Sequence, residues 1–140
     1  GMRWFNDRVL EKMVSFSREI KEKNIIFSSK SFEKLINEID ESCFVYMDPP
    51  YRLTNGSYND GKRGFKGWTK DHEKDLMNFI DVLDDRGVKF MLSYVLEHQD
   101  KINERMKEWL TNRQYKVINL KPIPGRRRKE VVIINYELEK

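Results

Sequence analysis

The stretch Cys43-Phe44-Val45-Tyr46-Met47-Asp48-Pro49-Pro50-Tyr51 decides how this chain is read. An apolar run closed by a proline pair predicts a buried strand. Asp48 then stands at the strand's carboxyl end, where open α/β sheets receive ligands. Neither proline has an N–H, and each biases the residue before it towards extended backbone, so the Pro49 carbonyl is held as a rigid acceptor beside the Asp48 carboxylate. Two acceptors converging on one point suit an exocyclic amino group: they take its two protons and localise the lone pair on nitrogen. Tyr51 adds a flat face on which a base can stack, a contact worth about 1–3 kcal/mol. The stretch predicts a pocket for a planar nitrogen base whose amino nitrogen is the nucleophile.

On both sides of it, helical and strand patterns alternate. Phe5, Val9, Met13, Phe16 and Ile20 predict an amphipathic helix over residues 3–22. A short strand is expected at 24–28, and Phe32, Leu35, Ile36 and Ile39 predict a second helix before the Asp48 strand. Thr69 is the expected N-cap of a third, with Asp71 and Glu73 in its first turn and Gly87 at its end. Leu76, Phe79, Ile80 and Leu83 form its inward stripe. A strand over 88–94, a helix over about 98–112 with Ile102, Met106, Trp109 and Leu110 inward, and strands at 115–120 and 130–136 complete the pattern. Strands joined by crossover helices predict a parallel sheet, and the short link between the last two allows them to pair antiparallel.

With 140 residues, 39% of them hydrophobic, the chain has material for one core, and a single domain over 1–140 is expected. One cysteine, Cys43 on the apolar strand, excludes an internal disulfide and predicts a buried thiol in a reducing, cytoplasmic setting. No signal peptide or membrane-spanning segment is expected from the sequence, and a net charge of +4 is compatible with nucleic acid. His72 and His98 have no cysteine or carboxylate partners at metal-ligand spacing, so no metal is expected.

Asp48-Pro49-Pro50-Tyr51 behind an apolar strand resembles the catalytic motif of the S-adenosylmethionine-dependent adenine-specific DNA methyltransferases, both Dam-like and restriction–modification enzymes. Gly56-Ser57-Tyr58-Asn59-Asp60-Gly61-Lys62-Arg63-Gly64-Phe65-Lys66-Gly67-Trp68 is similar to the loop that follows the motif in one branch of that family. Arg126-Arg127-Arg128-Lys129-Glu130-Val131-Val132-Ile133-Ile134-Asn135-Tyr136 is similar to the family's C-terminal end, where a basic loop enters the last strand. The resemblance covers residues 24–138, behind the helix of 1–22. It implies a Rossmann-like class I methyltransferase sheet of strand order 3-2-1-4-5-7-6. The chain would carry its C-terminal half, mostly parallel strands with a final antiparallel one.

The family's glycine-rich F-x-G-x-G loop, the acid after its second strand and its target-recognition domain have no counterpart here. All belong to the N-terminal half. The resemblance therefore implies a split or truncated enzyme, inactive alone, that meets a partner chain or itself through the sheet edge left unpaired beside Asp48. Coverage of that edge by the N-terminal helix or by the strand at 24–28 is the solution within one chain.

The site implied by the resemblance has Asp48, Pro49, Pro50 and Tyr51 as catalytic residues. On the side of the cofactor, S-adenosylmethionine, it has Asp48 together with Ser31 and Phe32, where many members carry an acid followed by an aromatic. Duplex DNA with an adenine flipped out is the implied substrate, and transfer to its amino group is direct, with no metal. Tyr58, Lys62, Arg63 and Lys66, with Phe65 and Trp68 among them, are expected to contact DNA. Arg126, Arg127, Arg128 and Lys129 are expected to add salt-sensitive phosphate contacts. In Leu92-Ser93-Tyr94, a strand end can line the pocket, although structure alone explains those residues equally well. A non-catalytic remnant or DNA-binding module is the alternative, and amino-group methylation of RNA or protein a third reading.

Overall fold

The computed structural model describes residues 6–57, 67–122, 124–125 and 127–139, with backbone alone over 55–57. It falls into two compact units, Gly1–Ser31 and Phe32–Lys140. In the first, helix α1 (Asp7–Glu22) starts at Asn6, whose Oδ1 accepts the Val9 N–H at 3.1 Å, with Asp7 in the first turn and Lys21 in the last to complement the dipole. The strand expected at 24–28 is not formed. Ile26 and Phe27 are 85% and 73% exposed, and a strand exists through its ladder, whereas no described strand pairs with this segment.

The second unit is built on a sheet of β1 (Phe44–Met47), β2 (Lys89–His98), β3 (Lys101–Ile102), β4 (Lys116–Asn119) and β5 (Arg128–Ile134). Their order is β1-β2-β5-β4, with β3 attached to β2. β1 pairs parallel with β2, and β5 pairs antiparallel with both β2 and β4. Hence β1, β2 and β4 run one way and β5 runs against them. This is the expected half-sheet, in the order 4-5-7-6 of the family scheme.

Helix α2 (Lys70–Asp85) begins in a capping box, where Thr69 Oγ1 accepts the His72 N–H and the His72 ring takes the Thr69 N–H. It ends where Gly87 adopts φ +73 and the Val88 N–H reaches back to the Leu83 carbonyl at 2.9 Å, a left-handed closure that favours glycine. Its stripe of Leu76, Met77, Phe79, Ile80 and Leu83 joins Phe90, Leu92, Tyr94 and Leu96 of β2 and Val131 and Ile133 of β5 in one core. Met106 and Leu110 of α3 (Glu104–Thr111) enter the same cluster.

Several elements depart from expectation. Residues 32–38 form a 3₁₀ segment rather than an α-helix, and at seven residues the piece is too short for many turns to repay α-helix nucleation. β2 runs on through His98, then Gln99 turns with φ +54 and Lys101–Ile102 folds back on Glu97 and His98. Helix α3 therefore starts only after the Asn103 cap, and Ile102, expected inward, is 46% exposed. Cys43, expected buried in the strand, precedes it and is half-buried. β1 has one neighbour among the described strands and stands at the sheet edge. Val45 and Met47 pack on the core while Phe44 and Tyr46 are 53% and 59% exposed, so the run is not buried throughout.

Asp81 of α2 fastens α3 and the start of β4. It accepts Arg113 Nε at 2.8 Å and Nη2 at 2.6 Å, the Trp109 indole at 3.2 Å and the Tyr115 hydroxyl at 3.3 Å. Burial pushes this carboxyl up, but the bonds from Arg113 and Trp109, the Arg113 charge and the Tyr115 bond outweigh it and hold it below its ordinary 3.8. A carboxylate lowered on folding stabilises above its unfolded value and loses that stabilisation as pH falls through the folded one. Urea midpoints should therefore decline below about pH 4, and Asp81→Asn should flatten that part of the profile. An unchanged acid limb in the variant would exclude Asp81 as its source.

Candidate active site

Asp48 is the first residue after β1 and is solvent-exposed, followed by half-buried Pro49, Pro50 and Tyr51. The structure brings this motif together as expected, at the carboxyl end of a strand with a parallel neighbour. The Tyr51 hydroxyl donates to Asp48 Oδ1 at 3.1 Å and lies 3.4 Å from Ser93 Oγ. Its ring stands edge-on to Tyr94, with centroids 5.7 Å apart and planes at 81°. Ser93 and Tyr94, which sequence left open between packing and pocket, thus both touch the motif. Burial raises the Tyr51 hydroxyl above its ordinary 10.0, the Ser93 bond partly reverses that, and the Asp48 charge raises it again. Tyr51 is therefore a protonated donor at neutral pH, and its bond steadies one carboxylate oxygen of Asp48.

Because β5 runs against its neighbours, its start lies at the same sheet end as the close of β1, β2 and β4. The basic run thus arrives beside the motif. Arg128 does not project freely: its guanidinium carbon is 6.0 Å from the Tyr51 ring centroid and its Nε is 2.5 Å from Glu130 Oε1. Such a cation–π contact is worth about 0.5–1 kcal/mol where water has access. Arg127 and Lys129 are exposed and line a groove of about 570 Å³ with Glu97, Asn119 and Lys121. Lys129 Nζ is 3.7 Å from Glu97, which also accepts Lys107 at 2.7 Å. Tyr58, Lys62, Arg63, Lys66 and Arg126, expected to contact DNA, lie outside the described residues, as does Phe65.

Trp68 and Phe32 are placed in packing. The Trp68 indole, 8% exposed, donates to the Tyr94 hydroxyl at 3.2 Å and its ring stacks on His72. The Phe32 ring meets Phe79 edge-on at 5.2 Å and lies 6.4 Å from Trp68. Ser31 is the last residue of the first unit. The cluster at the end of β1 fits an amino group on a flat base. The described residues do not enclose a second nucleoside, since they include no glycine-rich turn from strand to helix and Phe32 packs into the core.

A buried polar network under the motif was not anticipated. Glu73, fully buried in the first turn of α2, accepts Arg52 Nε on Oε1 at 3.1 Å. Its Oε2 accepts the Tyr94 hydroxyl at 2.7 Å and Asn103 Nδ2 at 2.6 Å. Arg52 Nη2 also donates to Asn103 Oδ1 at 2.8 Å, and that oxygen caps α3 through the Met106 N–H at 3.1 Å. Sequence reasoning assigned Glu73 to the helix dipole. The overlooked signal was its position: Glu73 continues the apolar stripe of Leu76, Met77, Ile80 and Leu83, and a carboxylate on a buried stripe needs partners.

Among the described residues no group of metal-ligating side chains is present, and no helix is long and apolar enough to cross a membrane. Residues 2–122 match the family model of the D12 class N6 adenine-specific DNA methyltransferases. The chain is 34% identical over 142 residues to the modification methylase StsI of Streptococcus sanguinis, covering 95% of this chain and 22% of that protein. It is 40% identical over 117 residues to the type II methyltransferase M.FokI of Planomicrobium okeanokoites, covering 83% and 18%. To the modification methylase LlaI of Lactococcus lactis subsp. lactis it is 36% identical over 137 residues, covering 97% and 22%. The chain spans about a fifth of the length of these curated relatives. With the motif at the end of β1, the half-sheet in the family's order and a match over most of its length, the chain belongs to the D12 class N6 adenine-specific DNA methyltransferases.

Proposed function

We propose that this chain supplies the base-binding side of a restriction–modification DNA adenine methyltransferase, and that it acts within a larger assembly that completes the cofactor site and reads the DNA sequence. The observation that carries the reading is the Asp48 side chain at the end of β1, with one carboxylate oxygen accepting from the Tyr51 hydroxyl. Membership of the family implies S-adenosylmethionine, which supplies an electrophilic methyl group when bound. This chain's residues act on the other reactant. Asp48 and the Pro49 carbonyl accept the two amino protons of a flipped adenine, and its nitrogen lone pair is localised for attack. The Tyr51 ring receives the base. Holding the amino group in line supplies much of the acceleration, since orientation alone can contribute about 7–11 kcal/mol.

β1 has no second neighbour among the described strands, which supports a covering strand from the rest of such an assembly or from a second copy. Light scattering over rising concentration tests the second copy, whose signature is a mass that climbs above the monomer. A constant monomer mass would leave the partner chain.

The reading is tested by transfer of label from S-adenosylmethionine to duplex DNA, followed by digestion to nucleosides. Label on N6-methyladenine supports it, and label on cytosine, or on protein, would replace it. Arg127 and Lys129 are proposed phosphate contacts. Arg127→Ala and Lys129→Ala should each weaken DNA binding evenly across sequences and reduce the slope of log affinity against log salt by about 0.9 per contact. A slope unchanged in both variants would remove these side chains from the interface.

A further inference from the structure

We propose that Glu73 is a positioning residue for the base pocket: its buried carboxylate, by holding Arg52 and Tyr94 to one point, sets where Tyr51 and Asp48 stand. The inference rests on the reading of Asp48–Tyr51 as the adenine pocket. Glu73 touches none of the reacting atoms and acts through its neighbours.

The chemistry of the site favours this role over simple filling of space. Apolar side chains of similar volume in place of the whole cluster would complete the core without desolvating a charge, and such wholesale replacements are often neutral or stabilising. What an apolar residue cannot do is accept from three donors on three different segments. Arg52 directly follows Tyr51 in the chain, so its 3.1 Å bond to Glu73 fixes the backbone that leaves the motif. Tyr94 presents its ring edge to Tyr51 at 5.7 Å, and its 2.7 Å bond to Glu73 fixes that edge. Asn103 closes the ring of contacts, donating to Glu73 at 2.6 Å while accepting Arg52 at 2.8 Å.

Tyr51 is thus gripped from its own chain and from its ring edge, and both grips converge on one carboxylate. Tyr51 in turn donates to Asp48 Oδ1. A change at Glu73 is therefore transmitted to the base platform and to the acceptor that meets the amino group. Burial raises the Tyr94 hydroxyl far above its ordinary value, and the adjacent Glu73 charge adds to this, so Tyr94 remains a donor throughout the working range of pH.

The test is the spectrum of the chain carrying ¹³C-labelled tyrosine rings, recorded with and without an adenine-containing oligonucleotide. Glu73→Gln keeps the shape but turns an amide NH₂ towards donors. Its expected result is a displaced Tyr51 resonance, unmoved Tyr115 and Tyr136 signals that report an intact fold, and oligonucleotide binding weakened about tenfold. Arg52→Lys keeps a charge beside Glu73 but replaces the fork of Nε and Nη2, which serves Glu73 and Asn103 from separate nitrogens, by a single point; it should displace Tyr51 in the same direction and remains informative if Glu73→Gln does not fold. An unmoved Tyr51 resonance in the folded variants, with Tyr94 displaced, would overturn the proposal and leave Glu73 as a packing group. Should the unsubstituted chain's Tyr51 signal ignore the oligonucleotide, the adenine reading fails, while the DNA-free spectra still decide whether Glu73 sets the ring.

Discussion

Replacing Asp48 with alanine is expected to lower methyl transfer by about 10²–10³-fold in any assembly in which this chain is active, comparable with loss of one group aimed at a developing charge. The argument is geometric. In the proposed reading Asp48 accepts one amino proton, and the Pro49 carbonyl alone can take only one of the two. Because Asp48 is exposed and its described hydrogen bond is the one from Tyr51, the fold should hold, with stability within about 0.5 kcal/mol of the parent. Asp48→Asn is a sharper probe: it preserves shape, weakens the acceptor and can present N–H groups to an amine. Single-turnover rates at saturating DNA and cofactor separate this loss from weaker binding. A rate for Asp48→Ala within a few-fold of the parent would end its catalytic assignment.

Glu73→Ala should cost about 3–5 kcal/mol of stability, because removing one member of a buried charged cluster leaves its partners unpaired. The Arg52 side chain, 20% exposed, recovers some hydration, which places the expected loss near the lower end. The Tyr94 hydroxyl and Asn103, both fully buried, have no such recourse. Urea denaturation with an unchanged m-value measures this loss. Glu97 offers the contrast: its pairs with Lys107 and Lys129 are substantially exposed, and exposed pairs contribute about 0–1 kcal/mol. A Glu73→Ala midpoint as close to the parent as that of Glu97→Ala would show that the network does not support the fold.

Much of this architecture was written locally. The Thr69 cap and the Gly87 closure bounded α2 to within a residue, since capping and left-handed turns depend on side chains next to the bonds they satisfy. The apolar run before Asp48 announced β1, and the proline pair announced its end. Where local pattern had no bearing, reading went astray. Residues 24–28 have strand composition, but a strand needs a neighbour. Ile102 lies on a helical period, yet β2 continued past it and drew Lys101–Ile102 into a ladder. Phe44 and Tyr46 look like core residues but alternate with Val45 and Met47, so they lie on the sheet face opposite the core, where they are 53% and 59% exposed.

The order of residues alone disclosed the motif, the strand that presents it, the α/β alternation and the family, because each depends on chemistry carried by neighbouring side chains. Folding alone revealed that Arg52, Glu73, Tyr94 and Asn103 meet beneath Tyr51, and that Arg128 leaves the basic loop to stand over the Tyr51 ring. Those contacts join segments far apart in the chain. Their partners are chosen by sheet order and by the requirement that a buried charge be satisfied, and neither is a property of any local stretch.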